Sequence, residues 1–176
     1  GLSNLDTSKI TDMSQIFFGD AKLTNLDALK NWNTSALTNA KQAFYSTGIV
    51  STSGLDTWNV SNVTNMEGIF DSCKSLRSLS GLENWDTSNV TIAIGIFAGC
   101  NKITDLTPIS NWNTSNMVDI SRLFNGCSSI STWKDIKDWD LSSAKDISNA
   151  FNGNQATDID LLGNLIFSGQ RTKSDG

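Results

Sequence analysis

Six stretches of this chain share one apolar skeleton, opening at Leu5, Trp32, Trp58, Trp85, Trp112 and Trp139 at steps of 27, 26, 27, 27 and 27 residues. A unit of this length cannot bury an apolar face by itself, so successive units must stack, and a period in this range specifies a solenoid. The 27-residue interval therefore constrains the fold more than any other feature.

The third unit, 58–84, is the cleanest copy. Val63, Met66, Ile69, Phe70 and Cys73 fall three, three, one and three residues apart, which fits one face of a short helix. Thr64 followed by Glu67 has capping-box spacing, so the predicted helix runs over 65–72. Leu76, Leu79 and Leu82 follow in an L-x-x-L-x-x-L run, the expected strand segment, bending around Gly81. The expected fold class is α/β: a right-handed, leucine-rich-repeat-like solenoid of about six 27-residue coils, each with a short helix and a short strand segment. It forms a single domain over 1–169. The second unit is degenerate, with an irregular segment over 49–55. The sixth loses the pattern after Phe151, and Leu161, Leu162, Leu165, Ile166 and Phe167 are expected to fold back as a cap. Residues 170–176 are expected to be a mobile tail, and Leu2 and Asn4 look like the end of a preceding unit.

Equivalent residues of stacked coils form columns. Phe17, Phe44, Phe70, Phe97, Phe124 and Phe151 predict a buried spine. The tryptophans predict packing at a corner of the coil, with stacking on a sugar as the alternative. Six serines, from Ser8 to Ser142, each follow an Asp or Asn by two residues, the pattern of turns in which both side chains satisfy backbone amides. Cys73, Cys100 and Cys127 share a column on the apolar side, which predicts three buried, reduced thiols.

Composition narrows the function classes. Thirteen Lys and Arg against eighteen Asp and Glu leave a net charge of −5, without a basic run, which argues against a nucleic-acid partner. The absence of histidine removes the usual general base and the commonest metal ligand. No metal site, cofactor or catalytic group is predicted. Asp158 and Asp160 come nearest to an acidic constellation and fit solvated turns. A carboxylate glycosidase and a calcium-dependent module are the residual alternatives.

The combination W-[DN]-T-S-x-V-T-x-M-x-x-I-F-x-x-C-x-x-L-x-x-L-x-x-L, read in 85–109 and its neighbours, resembles the repeat of BspA-like leucine-rich-repeat surface proteins. The resemblance implies a bacterial cell-surface or secreted protein, non-catalytic, acting as an adhesin module for host matrix protein, mucin or glycan. A stalk that spaces a separate adhesive domain is the alternative. No membrane insertion is expected of this stretch, and a monomer is. The candidate binding face is formed by the variable residues between the leucines: Thr24, Asn25 and Asp27; Arg77, Ser78 and Ser80; Thr104, Asp105 and Thr107; Ser131, Thr132 and Lys134.

Overall fold

The computed structural model describes residues 1–163. The chain winds through six stacked coils, beginning at 5, 32, 58, 85, 112 and 139, around one continuous core that runs from Met13 to Leu162. Numbering each coil from its opening Leu or Trp as position 1, position 8 is joined to the same position of the next coil by parallel bridges, from Asp12 and Asn39 through to Asp119 and Asp146. This is the repeat solenoid that the period predicts.

The local structure within each coil is different from the expectation. Position 11 lies in the left-handed region in every coil: Gln15, Gln42, Gly68, Gly95, Arg122 and Asn149 have φ between 53° and 60°. Position 15 does so as well, at Gly19, Ser46, Ser72, Gly99, Gly126 and Gly153. An α-helix cannot pass through such residues, so the helix expected over 65–72 does not form. Consecutive turns replace it, and alternate amides serve two purposes. Ile69 N–H closes a turn onto Met66 and Asp71 N–H onto Gly68, while Met66, Gly68, Phe70 and Ser72 donate across to Ile92, Ile94, Ile96 and Ala98 of the next coil. The capping box fails for the same reason. Glu67 N–H bonds Asn65 Oδ1 at 2.9 Å, and the Glu67 carboxylate pairs with Lys41 at 3.1 Å.

The L-x-x-L-x-x-L segment is not a strand either. Leu76 N–H bonds Cys73, Leu82 N–H bonds Leu79 and Trp85 N–H bonds Leu82, so turns close on either side of the step from Leu76 to Leu79. In coils 1, 4 and 5 the same place tightens into single-turn 3-10 helices, Asp27–Leu29, Thr107–Ile109 and Lys134–Ile136. A three-residue turn returns one side chain in three to the same side. The spacing of three that resembled a leucine-rich strand is the period of these turns, whereas over 66–73 the closures come every two residues.

Side-chain columns lock the stack. The phenylalanine rings follow one another at 5.6 to 6.2 Å from Phe17 to Phe151. Trp32, Trp58, Trp85, Trp112 and Trp139 are all buried, and each indole N–H donates to a backbone carbonyl two coils back, from Leu2 O at 2.8 Å to Ile109 O at 3.1 Å. Corner packing is thus the role of the tryptophans, and their faces are not open to a sugar. The three cysteines are free and buried, and their thiols donate to the carbonyls of Phe44, Phe70 and Phe97 at 3.0 to 3.1 Å. Burial pushes all three thiols up, Cys127 to about 12.

The second coil keeps its register despite its missing residue. Ile49, Thr52 and Leu55 are fully buried at the same step of three, so the expected irregularity over 49–55 is absent. The shortening falls at Gly48, where an added Cβ would lie 2.2 Å from Ala21 O, so only glycine fits. In coil 6 Leu162 is buried as part of the end of the core, whereas Leu161 is 40% exposed. Leu165, Ile166, Phe167 and the tail expected over 170–176 lie outside the described residues.

Candidate functional site

The polar residues that repeat in every coil are used by the backbone. In coils 1, 2, 3, 5 and 6 the serine hydroxyl at position 4 donates to the Asp or Asn at position 2 at 2.6 to 2.7 Å, and that same oxygen accepts the serine amide. In coil 4 the Ser88 amide makes the contact to Asp86. The Ser8, Ser88 and Ser142 side chains hold the carboxyls of Asp6, Asp86 and Asp140 below the usual carboxylate range, which makes them weaker bases. The buried threonines at position 3, Thr7, Thr34, Thr87 and Thr114, donate to the position-2 carbonyl of the next coil at 2.8 to 3.0 Å. Asn62, Asn89 and Asn116 bridge back to serine carbonyls at 2.6 to 3.0 Å. Among the described residues no group of three His, Cys, Asp or Glu side chains could hold a metal ion.

The twelve residues proposed as a binding face lie together along one side of the stack, all exposed except the half-buried Thr132. Their positions in the coil are 20, 21 and 23, and these are not equivalent. The position-21 side chain accepts the amide of position 23: Asn25 from Asp27 at 3.3 Å, Ser78 from Ser80 at 3.2 Å, Asp105 from Thr107 at 2.9 Å and Thr132 from Lys134 at 3.1 Å. These four residues set the turn, as an Asx or Ser/Thr side chain does by imitating a backbone carbonyl. Asp105 also accepts the Thr107 hydroxyl at 2.7 Å, the largest cause of its lowered pKa. Thr132 donates to Asp158 at 2.6 Å, and Asp158 also takes the Trp133 amide at 3.0 Å. Burial disfavours the charge on Asp158, and the Thr132 hydroxyl and Trp133 amide outweigh it, so its carboxyl is held low. Asp158 therefore turns inward and closes this side of the stack after coil 5.

The side chains of Thr24, Asp27, Arg77, Ser80, Thr104, Ser131 and Lys134 make no hydrogen bond among the described residues. Acidic Asp27 and Asp105 alternate with basic Arg77 and Lys134, so the face has no single sign of charge. Coil 2 supplies three members that sequence reasoning missed: Val50, Ser51 and Ser53, with Ser51 capping the Ser53 amide at 3.0 Å. The unbroken step Ile49, Thr52, Leu55 is the signal that could have placed them. Backbone bonds tie this part of the row across coils, with Val50 N–H on Thr24 O, Arg77 and Ser78 N–H on Val50 O, and Thr52 N–H on Ser78 O. The row thus has members on every coil from coil 1 to coil 5.

A second polar feature lies on another side of the coils. Arg122, at position 11 of coil 5, passes the bare backbone of Gly95 and reaches Asp71 of coil 3 at 3.4 Å. The Asp71 carboxylate is nearly buried and also accepts the Ser72 hydroxyl at 2.7 Å, which makes the pair a brace between coils.

Among curated proteins none matches the chain. The model of the family described as "Mycoplasma protein of unknown function, DUF285" matches it twice, over residues 1–78 and 43–164.

Proposed function

The chain belongs to the DUF285 family, and on that premise we propose that it is a non-catalytic repeat domain displayed on a bacterial cell surface, an adhesin module of the BspA-like kind with a right-handed winding. Its partner is a host matrix protein, mucin or glycan, bound along the row at positions 20 and 23. One observation supports this reading above the others. The recurrent polar columns at positions 2 to 4 are occupied by backbone turns, whereas the side chains of Thr24, Asp27, Arg77, Ser80, Thr104, Ser131 and Lys134 are solvent-facing and make no hydrogen bond among the described residues. They are short or charged side chains on a rigid backbone, suited to hydrogen bonding with an extended polar ligand. Placement at the cell surface rests on the resemblance of the repeat to BspA-like proteins.

The test is binding of the isolated chain to mucin, fibronectin, fibrinogen and a glycan array, compared with a variant carrying Arg77→Glu, Thr104→Lys and Lys134→Glu. These substitutions leave the position-21 turn formers intact, so stability should not change. Binding by the wild type that falls at least tenfold in the variant supports the proposal. Equal binding by the two proteins would place the ligand elsewhere. Binding to none of the ligands favours the stalk reading, in which the same rigid stack serves only as a spacer.

A further inference from the structure

We propose that the coil-1 end of the stack is a docking face for one further coil of the same 27-residue repeat. At each of the five coil interfaces, positions 9, 11, 13 and 15 of one coil donate their amides to positions 8, 10, 12 and 14 of the next. At the coil-1 end this row of acceptors has no donor: among the described residues nothing bonds the carbonyls of Asp12, Ser14, Ile16 and Phe18. The equivalent amides of later coils, such as Thr38 and Asn39 on Thr11 O, also have a carbonyl one coil back, whereas those of Thr11 and Asp12 have none. The end therefore presents four acceptors and two donors in the register of the internal interfaces.

The side chains there match the same geometry. Leu5, Ile16 and Phe18 are 54%, 41% and 48% exposed, although Trp58 and Ile69, the coil-3 counterparts of Leu5 and Ile16, are at 3% and 1%. Phe18 lies flat on Tyr45 at 4.5 Å with its other face open. The identity of the occupant comes from Gly1 to Asn4. Leu2 holds the place of Leu29, Leu55, Leu82 and Ile109. Its carbonyl accepts the Leu5 amide at 3.3 Å and the Trp32 indole at 2.8 Å, the two bonds that those residues make in later coils. Residues 1–4 thus already hold the places of the last residues of such a coil, and a coil of the repeat is the occupant that continues the core. An isolated polar partner would meet the acceptor row but not Leu5, Ile16 and Phe18.

To test this, 58–80 is fused directly ahead of Gly1, so that the GLSN of residues 1–4 completes a 27-residue coil. A control carries Ile69→Ser and Phe70→Ser in the added copy. The expected result is a higher urea midpoint for the fusion than for the chain or the control. Amide exchange of Thr11, Asp12 and the added coil should slow by at least a hundredfold, into the range of coil 3. An added coil that exchanges like a free peptide, with an unchanged midpoint, would overturn the proposal. So would sedimentation of the unextended chain as a dimer that Phe18→Ser converts to monomer, because the occupant would then be a second copy; a monomer with and without that substitution supports the added-coil reading.

Discussion

Truncating Phe97 to alanine should measure how strongly an interior coil depends on its neighbours. The ring is fully buried, with Phe70 at 5.9 Å on one side, Phe124 at 5.6 Å on the other and Trp112 at 5.9 Å. Residues on both sides are held by backbone bonds to adjacent coils, Phe70 N–H to Ile96 O and Phe97 N–H to Leu123 O, so the stack cannot collapse into the space without breaking register. The cost should therefore be about 3 to 5 kcal/mol, the range for a buried Phe→Ala change in a site that relaxes little. With a urea m-value of about 2 kcal/mol/M, that lowers the denaturation midpoint by roughly 1.5 to 2.5 M. Phe17→Ala supplies the control. Phe17 is half-buried and packs only on Phe44 and Trp32 in the ring column, so its loss should cost about half as much. Urea unfolding followed by tryptophan fluorescence would read both. An equal loss for the two variants, or a loss under about 1 kcal/mol for Phe97→Ala, would mean that interior rings are not clamped from both sides.

Three further outcomes follow from the geometry. Gly48→Ala should destabilise strongly because its Cβ would meet Ala21 O at 2.2 Å, whereas Gly95→Ala has room and should cost only about 1 kcal/mol for its φ of +57°; thermal denaturation compares them. The Asp86, Asp140 and Asp146 carboxyls are held low in the folded chain by Ser88, Ser142 and Ser148, so the stability they add is present above the unfolded value near pH 4 and is lost as the pH falls; Asp146→Asn, which keeps the acceptor, should flatten part of that acid limb in urea titrations. The thiols are shifted the other way, so their contribution is complete below about pH 8.5 and is lost as pH rises toward 12, and Cys127→Ala should reduce the alkaline loss of stability measured from pH 8 to 11.

The columns were legible in the sequence, and the path of the backbone between them was not. Phe17 to Phe151, Trp32 to Trp139 and the Asx-x-Ser turns could be assigned because each is fixed by the 27-residue period, whatever the local conformation. Val63, Met66, Ile69, Phe70 and Cys73 fit one face of a helix and a series of three-residue turns equally well. The step that separates the two readings lies further on, because Leu76, Leu79, Leu82 and Trp85 continue at intervals of three with no drift toward 3.6. Gly68 and Gly95 at position 11 were a second sign, since glycine inside a helix costs stability and here takes a positive φ. For the binding face, the sequence located the exposed row but not the division within it. Asn25, Ser78, Asp105 and Thr132 accept the amide two residues on, a role that depends on turn geometry absent from the spacing of the leucines.

Each coil is a run of turns whose inward positions carry the fold, and Arg77, Ser80, Thr104, Ser131 and Lys134 are left without a hydrogen-bonding role among the described residues. A single-alanine scan across 58–138, scored by resistance to proteolysis in urea, tests it most directly. Losses are expected at intervals of three through 63–69 and 70–85, 90–96 and 97–112, and 117–123 and 124–139, the largest at the position-13 phenylalanines, with neutral results at Arg77, Ser80, Thr104, Ser131 and Lys134. Losses at those five exposed residues as large as at Leu79 and Leu106 would contradict it.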